Sequence, residues 1–285
     1  MAVATKTAVV RLDHIAVPTN DLGTSLAFYT DVLGARFNRL VNCNLRGLNR
    51  VVPEMVFVTV ANHAGMGIAL QDEAIPAPIR PLEGPVCGFE IDERGIDGVV
   101  QVLREKGVPF EGPVEYPAPS PIAASVFVQD PQQNTFELSE RRDDRRSSDP
   151  PQGHLGLRRI SHVRLEVTDL ELARQWYTET LELEPYEAVP GDRQLTFAIG
   201  ETGQLFIVHE VPAMTRRSHY ARGPHVDVKV PVGAYEAFVP RLTNVERYWG
   251  PNGHEIPWHE PDPLTVYFYD PFGNRFQVSE NRPHG

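Results

Sequence analysis

Residues 162–167 read HVRLEV. In an extended strand Val163, Leu165 and Val167 fall on one side, and His162, Arg164 and Glu166 on the other. Asp169 follows, where a carboxylate suits a helix N-cap, and LELARQWYTETL has helical spacing. LTFAIG (195–200) and QLFIVHE (204–210) then read as strands. HVDVKV (225–230) restarts the pattern, with Val226, Val228 and Val230 opposite His225, Asp227 and Lys229. A helix is predicted near 233–242. Strands follow around TVYFYD (265–270) and RFQVSE (275–280), the second placing Arg275, Gln277 and Ser279 opposite Phe276 and Val278. Strand, helix and about three more strands make an α+β unit whose sheet carries helices outside and a partly polar face inside. Alternation alone describes a half-solvated antiparallel sheet. Histidine and amide groups repeated on that face point to a cavity.

The pattern recurs. DHIAVPTNDLGTSLAFYTDVLG (13–34) is similar to SHVRLEVTDLELARQWYTETLE (161–182), pairing His14 with His162 and Asp21-Leu22 with Asp169-Leu170. VFVQDPQQNTFELSE (126–140) is similar to YFYDPFGNRFQVSE (267–280), pairing Asp130-Pro131 with Asp270-Pro271. Each half divides again, so the order is expected four times over. RRDDRRSSDPPQG (141–153) is charged and rich in Ser, Pro and Gly, as linkers are. The expected organisation is an N-terminal module at 1–140, a linker at 141–157 and a C-terminal module at 158–285.

The charge of −11, from 27 basic and 38 acidic residues, repels phosphate, so neither nucleic acid nor an anionic membrane surface is an expected partner. No uninterrupted apolar run is long enough to span a bilayer, and the N-terminus lacks the pattern of a secretory leader. Cys43 and Cys87 make neither a disulfide framework nor a cysteine-rich zinc site, so a cytoplasmic setting is expected. At 41% hydrophobic residues the chain can bury substantial cores. The 26 prolines and 22 glycines fit many turns.

The candidate chemistry lies on the polar faces. His162 and His225 open equivalent strands, and Gln277 lies on the last one. If the third and fourth units pack against each other, two imidazoles and an amide oxygen converge, a donor set suited to Fe(II) or Mn(II). The chain resembles the vicinal oxygen chelate superfamily of glyoxalases, bleomycin-resistance proteins and extradiol dioxygenases, over about 9–140 and 158–281. Its two-module size is most similar to the type I extradiol ring-cleavage enzymes. HEPDPLTVYFYDPFGNRFQ (259–277) follows their signature from His259 through Val266-Tyr267 to Asp270-Pro271 and Gly273, and departs from it where Gln277 replaces a ligand Glu.

The resemblance implies four βαβββ units in two glyoxalase-like modules, with a cupped sheet around a central cavity. It implies His162, His225 and Gln277 as metal ligands, and Tyr267 as a hydrogen-bond partner of a metal-bound substrate oxygen. His259 would line the site beside the substrate. The family's acid–base histidine falls at Gln204, with His209 close by, and Trp258 would help shape an aromatic pocket. The implied activity is O2 insertion into a catechol-type or other vicinal-oxygen aromatic, in a homo-oligomer. A non-redox isomerase, lyase or epimerase and a metal-free aromatic-binding protein are the alternatives. In the first half His14 and Glu137 occupy ligand positions, but the middle one is Val86. Hydroquinone-cleaving relatives suggest another pairing, of first unit with fourth. His14, His225 and Gln277 would then converge, and His162 would face Glu137.

Overall fold

Two aspartates start two helices in the same way. Asp21 and Asp169 are extended N-caps whose Oδ1 atoms accept from the backbone N–H of Thr24 (3.0 Å) and Leu172 (2.9 Å). The computed structural model describes residues 9–44, 51–61, 64–71, 74–75, 86–142, 146–186, 193–200, 202–214, 225–245, 247–249, 255–257 and 265–281. In chain order the elements begin β1 (Arg11–Thr19), α1 (Leu22–Asp31), β2 (Arg36–Asn44), β3 (Val51–Ala61) and β4 (Ala64–Leu70). Then come β5 (Val86–Ile91), α2 (Gly95–Glu105), β6 (Phe110–Glu115), β7 (Ile122–Gln129) and β8 (Thr135–Arg141). The third repeat supplies β9 (Leu157–Val167), α3 (Leu170–Glu179), β10 (Glu184–Pro185), β11 (Gln194–Ile199) and β12 (Gln204–Glu210). The fourth supplies β13 (His225–Val230), α4 (Tyr235–Phe238), β14 (Arg247–Trp249), β15 (Glu255–Pro257), β16 (Thr265–Tyr269) and β17 (Arg275–Glu280). This is the expected α+β order. The helix predicted at 233–242 is shorter. It ends at Phe238 and continues as a 3-10 turn over Val239–Arg241, because Pro240 has no N–H for the α-helical ladder.

The strands form a seven-stranded sheet in the order β16-β17-β13-β1-β4-β3-β2 and an eight-stranded sheet in the order β10-β11-β12-β9-β5-β8-β7-β6. β14 and β15 form a separate two-stranded sheet. The segment expected as a linker, 141–157, runs between β8 and β9 of a single sheet. By compactness the described residues fall into two units. One takes in those up to Asp13, Glu166–Met214 and those from His225 onward, and the other is His14–Leu165. No helix among the described residues is long and apolar enough to cross a membrane.

Within each unit a buried tyrosine fastens a helix to an Asp-Pro turn. Tyr29 of α1 donates to Asp130 (2.5 Å), and Tyr177 of α3 donates to Asp270 (3.0 Å). Asp130 also accepts from the N–H groups of Gln132 and Asn134, and the Asn134 amide continues to the Pro18 carbonyl on β1 (3.0 Å). Asp270 accepts from Phe272 and Asn274, and the Asn274 amide reaches the Glu166 carbonyl on β9 (2.9 Å). Burial raises both aspartates above the usual carboxylate value, opposed by these donors. Burial and the neighbouring carboxylate push both tyrosines well up, so each phenol keeps its proton. Around Tyr177 the apolar faces close: its ring stacks on Phe197 at 5.5 Å, and Trp176 lies 6.0 Å from Phe276.

Tyr177→Phe and Tyr29→Phe each remove a buried donor from a carboxylate. Each is expected to lower the unfolding free energy by about 1–3 kcal/mol, measured by urea denaturation.

Candidate functional site

β13, β16 and β17 carry the second half's polar face. β13 and β17 run parallel with Asp227 beside Gln277, and β16 pairs antiparallel with Tyr267 on the other side of Gln277. Register partners point to the same side of a sheet, so His225, Asp227 and Lys229 share a face with Arg275, Gln277, Ser279 and Tyr267. His225, Gln277 and Tyr267 are all buried. The His225 ring meets Tyr267 edge-on at 5.2 Å, and the Arg275 guanidinium lies 4.1 Å over the tyrosine ring. The opposite face is apolar, through Val226, Val228, Phe276 and Val278.

Charge on this face is largely paired. Lys229 Nζ lies 2.8 Å from Asp227, 3.5 Å from Asp13 and 2.6 Å from Ser279 Oγ, while Arg11 holds Asp13 at 2.5 Å. Burial works to lower the Lys229 ammonium, but Asp227 and Asp13 outweigh it and raise it above the usual lysine value. Asp13, His14 and Asp227 are buried and bring one ligand atom each within 4.8 Å of one another, so they could hold a metal ion. His14 also stands edge-on to Phe57 at 5.4 Å, opposite Gly65 on β4.

His162 sits elsewhere, in the eight-stranded sheet. Its ring lies directly over Gly88, where a Cβ would meet the imidazole Cε1 at 2.1 Å. Nδ1 is 2.8 Å from Ser161 Oγ and Nε2 is 2.9 Å from Glu137. Glu137 Oε2 also accepts from Arg164 Nε (2.6 Å). Its Oε1 accepts from Ser125 (2.6 Å), Arg164 Nη2 (3.1 Å) and Tyr116 (3.2 Å). Burial would raise the Glu137 carboxyl, yet Arg164 and His162 hold it well below the usual range. Burial lowers the His162 imidazole despite the adjacent carboxylate, so the ring is neutral near pH 7. An ionised Glu137 only accepts, so Nε2 carries the His162 proton and Nδ1 accepts from Ser161. Burial, together with Glu137, raises the Tyr116 phenol to about 12.

The seven-stranded sheet thus brings His225, Gln277 and Tyr267 together, whereas both His162 nitrogens are engaged by Ser161 and Glu137. Gln204, expected near the substrate, is buried with its amide bonded to the Leu12 backbone, accepting from N–H (2.9 Å) and donating to C=O (3.2 Å). It completes a strand edge. His209 is half-buried on β12 opposite Gln194. Trp258 and His259 lie outside the described residues. Sequence reading did not find the parts that Arg164 and Gly88 play. Arg164 shares the His162 face, but alternation gives a side chain's face and not its partner.

Residues 11–138 match the model of the Glyoxalase/Bleomycin resistance protein/Dioxygenase superfamily. Virulence protein STM3117 of Salmonella typhimurium is 26% identical over 137 residues, 46% of this chain and 83% of that protein. The fold is similar to the crystal structure of a putative dioxygenase from Bacillus subtilis, with a TM-score of 0.68 at 14% identity over 97% of this chain and 87% of that one. It is also similar to glyoxalase I from Zea mays, with a TM-score of 0.60 at 17% identity over 95% and 92% of the two chains. Both likenesses show a two-module glyoxalase-like fold.

Two measurements check the Glu137 cluster. Its depressed carboxyl contributes stability above the unfolded value of about 4.3 and loses it as pH falls through the lower folded value. Stability should therefore drop below about pH 4.3, with a shallower acid limb in Glu137→Gln. Gly88→Ala displaces His162 and should cost about 1–3 kcal/mol in urea unfolding.

Proposed function

We propose that this chain is a metal-dependent enzyme acting on a catechol-type or other vicinal-oxygen aromatic. The observation that carries this is the joint burial of His225, Gln277 and Tyr267 on one polar face of three paired strands. Imidazole nitrogen and amide oxygen are donors that suit a divalent ion such as Fe(II) or Mn(II). His225 and Gln277 would hold it. The third donor expected from sequence is His162, with His14 as the alternative. When bound, the metal would chelate the two substrate oxygens and activate O2 beside them.

The other steps belong to side chains. Tyr267 would donate its phenol proton in a hydrogen bond to a substrate oxygen. Arg275, stacked over that ring, fixes its plane and favours negative charge developing nearby. Asp13 and Asp227 share Lys229, so they add little uncompensated charge. His259 remains the proposed group for proton transfer near the substrate.

One observation favours a second reading. Gln277 is neutral where a carboxylate would cancel part of the metal's charge, and a more electrophilic ion suits Lewis-acid chemistry in an isomerase, lyase or epimerase.

Elemental analysis of protein purified without oxygen tests both readings. About one Fe or Mn per chain, with oxygen uptake on adding a catechol, is the expected result. Stoichiometric Zn or Ni without uptake moves the assignment to the second reading. No metal after reconstitution overturns both and leaves a metal-free pocket for an aromatic ligand. His225→Ala should weaken metal binding by at least the roughly 10–100-fold of an outer-shell loss. Gln277→Glu should tighten it.

A further inference from the structure

Arg275 stands at one end of β17, and the contacts between Lys229 and the carboxylates gather toward the other. Parallel pairing sets Asp227 beside Gln277 and Lys229 beside Ser279, and Lys229 meets Asp227, Asp13 and Ser279 there. Arg275 is buried, shares its face with Gln277 and lies 4.1 Å over the Tyr267 ring. A guanidinium keeps its charge at any ordinary pH and carries five N–H donors in one plane. Resting on an aromatic face, it directs those donors along its own plane, outward past the ring edge. Five donors are more than one partner takes up, so a guanidinium can hold a protein neighbour and a ligand oxygen together. The contact with Tyr267 also sets the charge beside the phenol that would bond a substrate oxygen.

We propose that Arg275 is a specificity-determining residue that selects an aromatic acid, a catechol-type ring carrying a carboxylate. The inference rests on the function proposed above, in which Tyr267 donates to an oxygen on the substrate ring. A carboxylate elsewhere on the same ring lies within a few ångströms of that oxygen, on the scale that separates Tyr267 from Arg275. Tyr267 would hold the hydroxyl, and Arg275 would hold the carboxylate through paired N–H···O bonds. A ligand that closes over the guanidinium removes water from it. A carboxylate replaces that water with charge-assisted bonds, whereas hydrogen or an alkyl group at the same ring position does not. Arg275 is assigned in preference to Lys229 because it is the cation in contact with Tyr267.

The test is isothermal titration of the full chain with 3,4-dihydroxybenzoate and, in parallel, with catechol. The wild type should bind the acid roughly 10–100-fold more tightly than catechol. Arg275→Met keeps an apolar chain over Tyr267 and should bring the two affinities together. Arg275→Lys keeps the charge without the planar fork and should retain part of the preference. If Arg275 only supports Tyr267, its replacement lowers both affinities alike and leaves their ratio unmoved, and that result overturns the proposal. Equal affinity for the two compounds in the wild type overturns it as well, without touching the catechol reading. Binding of neither compound overturns that reading and this inference together. A preference for the acid in protein that takes up no metal would sink the metal-enzyme reading and leave this inference standing.

Discussion

A carboxylate buried at the end of a strand must find donors, and in this chain that requirement fastens helix to turn to strand. Asp130 and Asp270 have the same position in the second and fourth repeats. Each takes a phenol from a helix and two N–H groups from its own turn, and each holds an asparagine that bonds a carbonyl on a distant strand. Loosening one aspartate would free a helix, a turn and a strand end together. The registers that place His225 beside Tyr267, or His162 over Gly88, rest on strands held at their ends in this way.

The same framework carries two electrostatic solutions. On the seven-stranded sheet the carboxylates Asp13 and Asp227 are drawn to Lys229 and Arg11, beside an imidazole, an amide and a phenol. On the eight-stranded sheet one carboxylate, one arginine and one neutral imidazole pair with each other, with Ser125, Tyr116 and Ser161 completing the set. In the second the side chains serve as partners for one another.

Much of this was legible in the sequence because it is local. HVDVKV and RFQVSE are strands with the stated ends and faces, and Asp169 caps its helix. The Asp-Pro pairs mark the turns, although their part as anchors for Tyr29 and Tyr177 needed the tertiary structure. What local patterning could not decide was which repeat lies beside which. His162 has the same polar-face signature under either pairing, and its partner Glu137 lies 25 residues away in sequence. Gln204 shows a related ambiguity: an amide that can face a substrate can equally replace a backbone partner, and its amide bonds Leu12. The short fourth helix follows from Pro240, a local signal outweighed in the reading by the spacing around it.

Gly88 also constrains how the chain can change over generations. While the imidazole of His162 rests where a Cβ would project, no side chain can arise at position 88. If His162 were first replaced by a smaller residue, alanine or serine at 88 would become tolerable and could accumulate by drift. The histidine could not then return until glycine did. The pair is a ratchet, so this corner of the sheet is more easily dismantled than rebuilt.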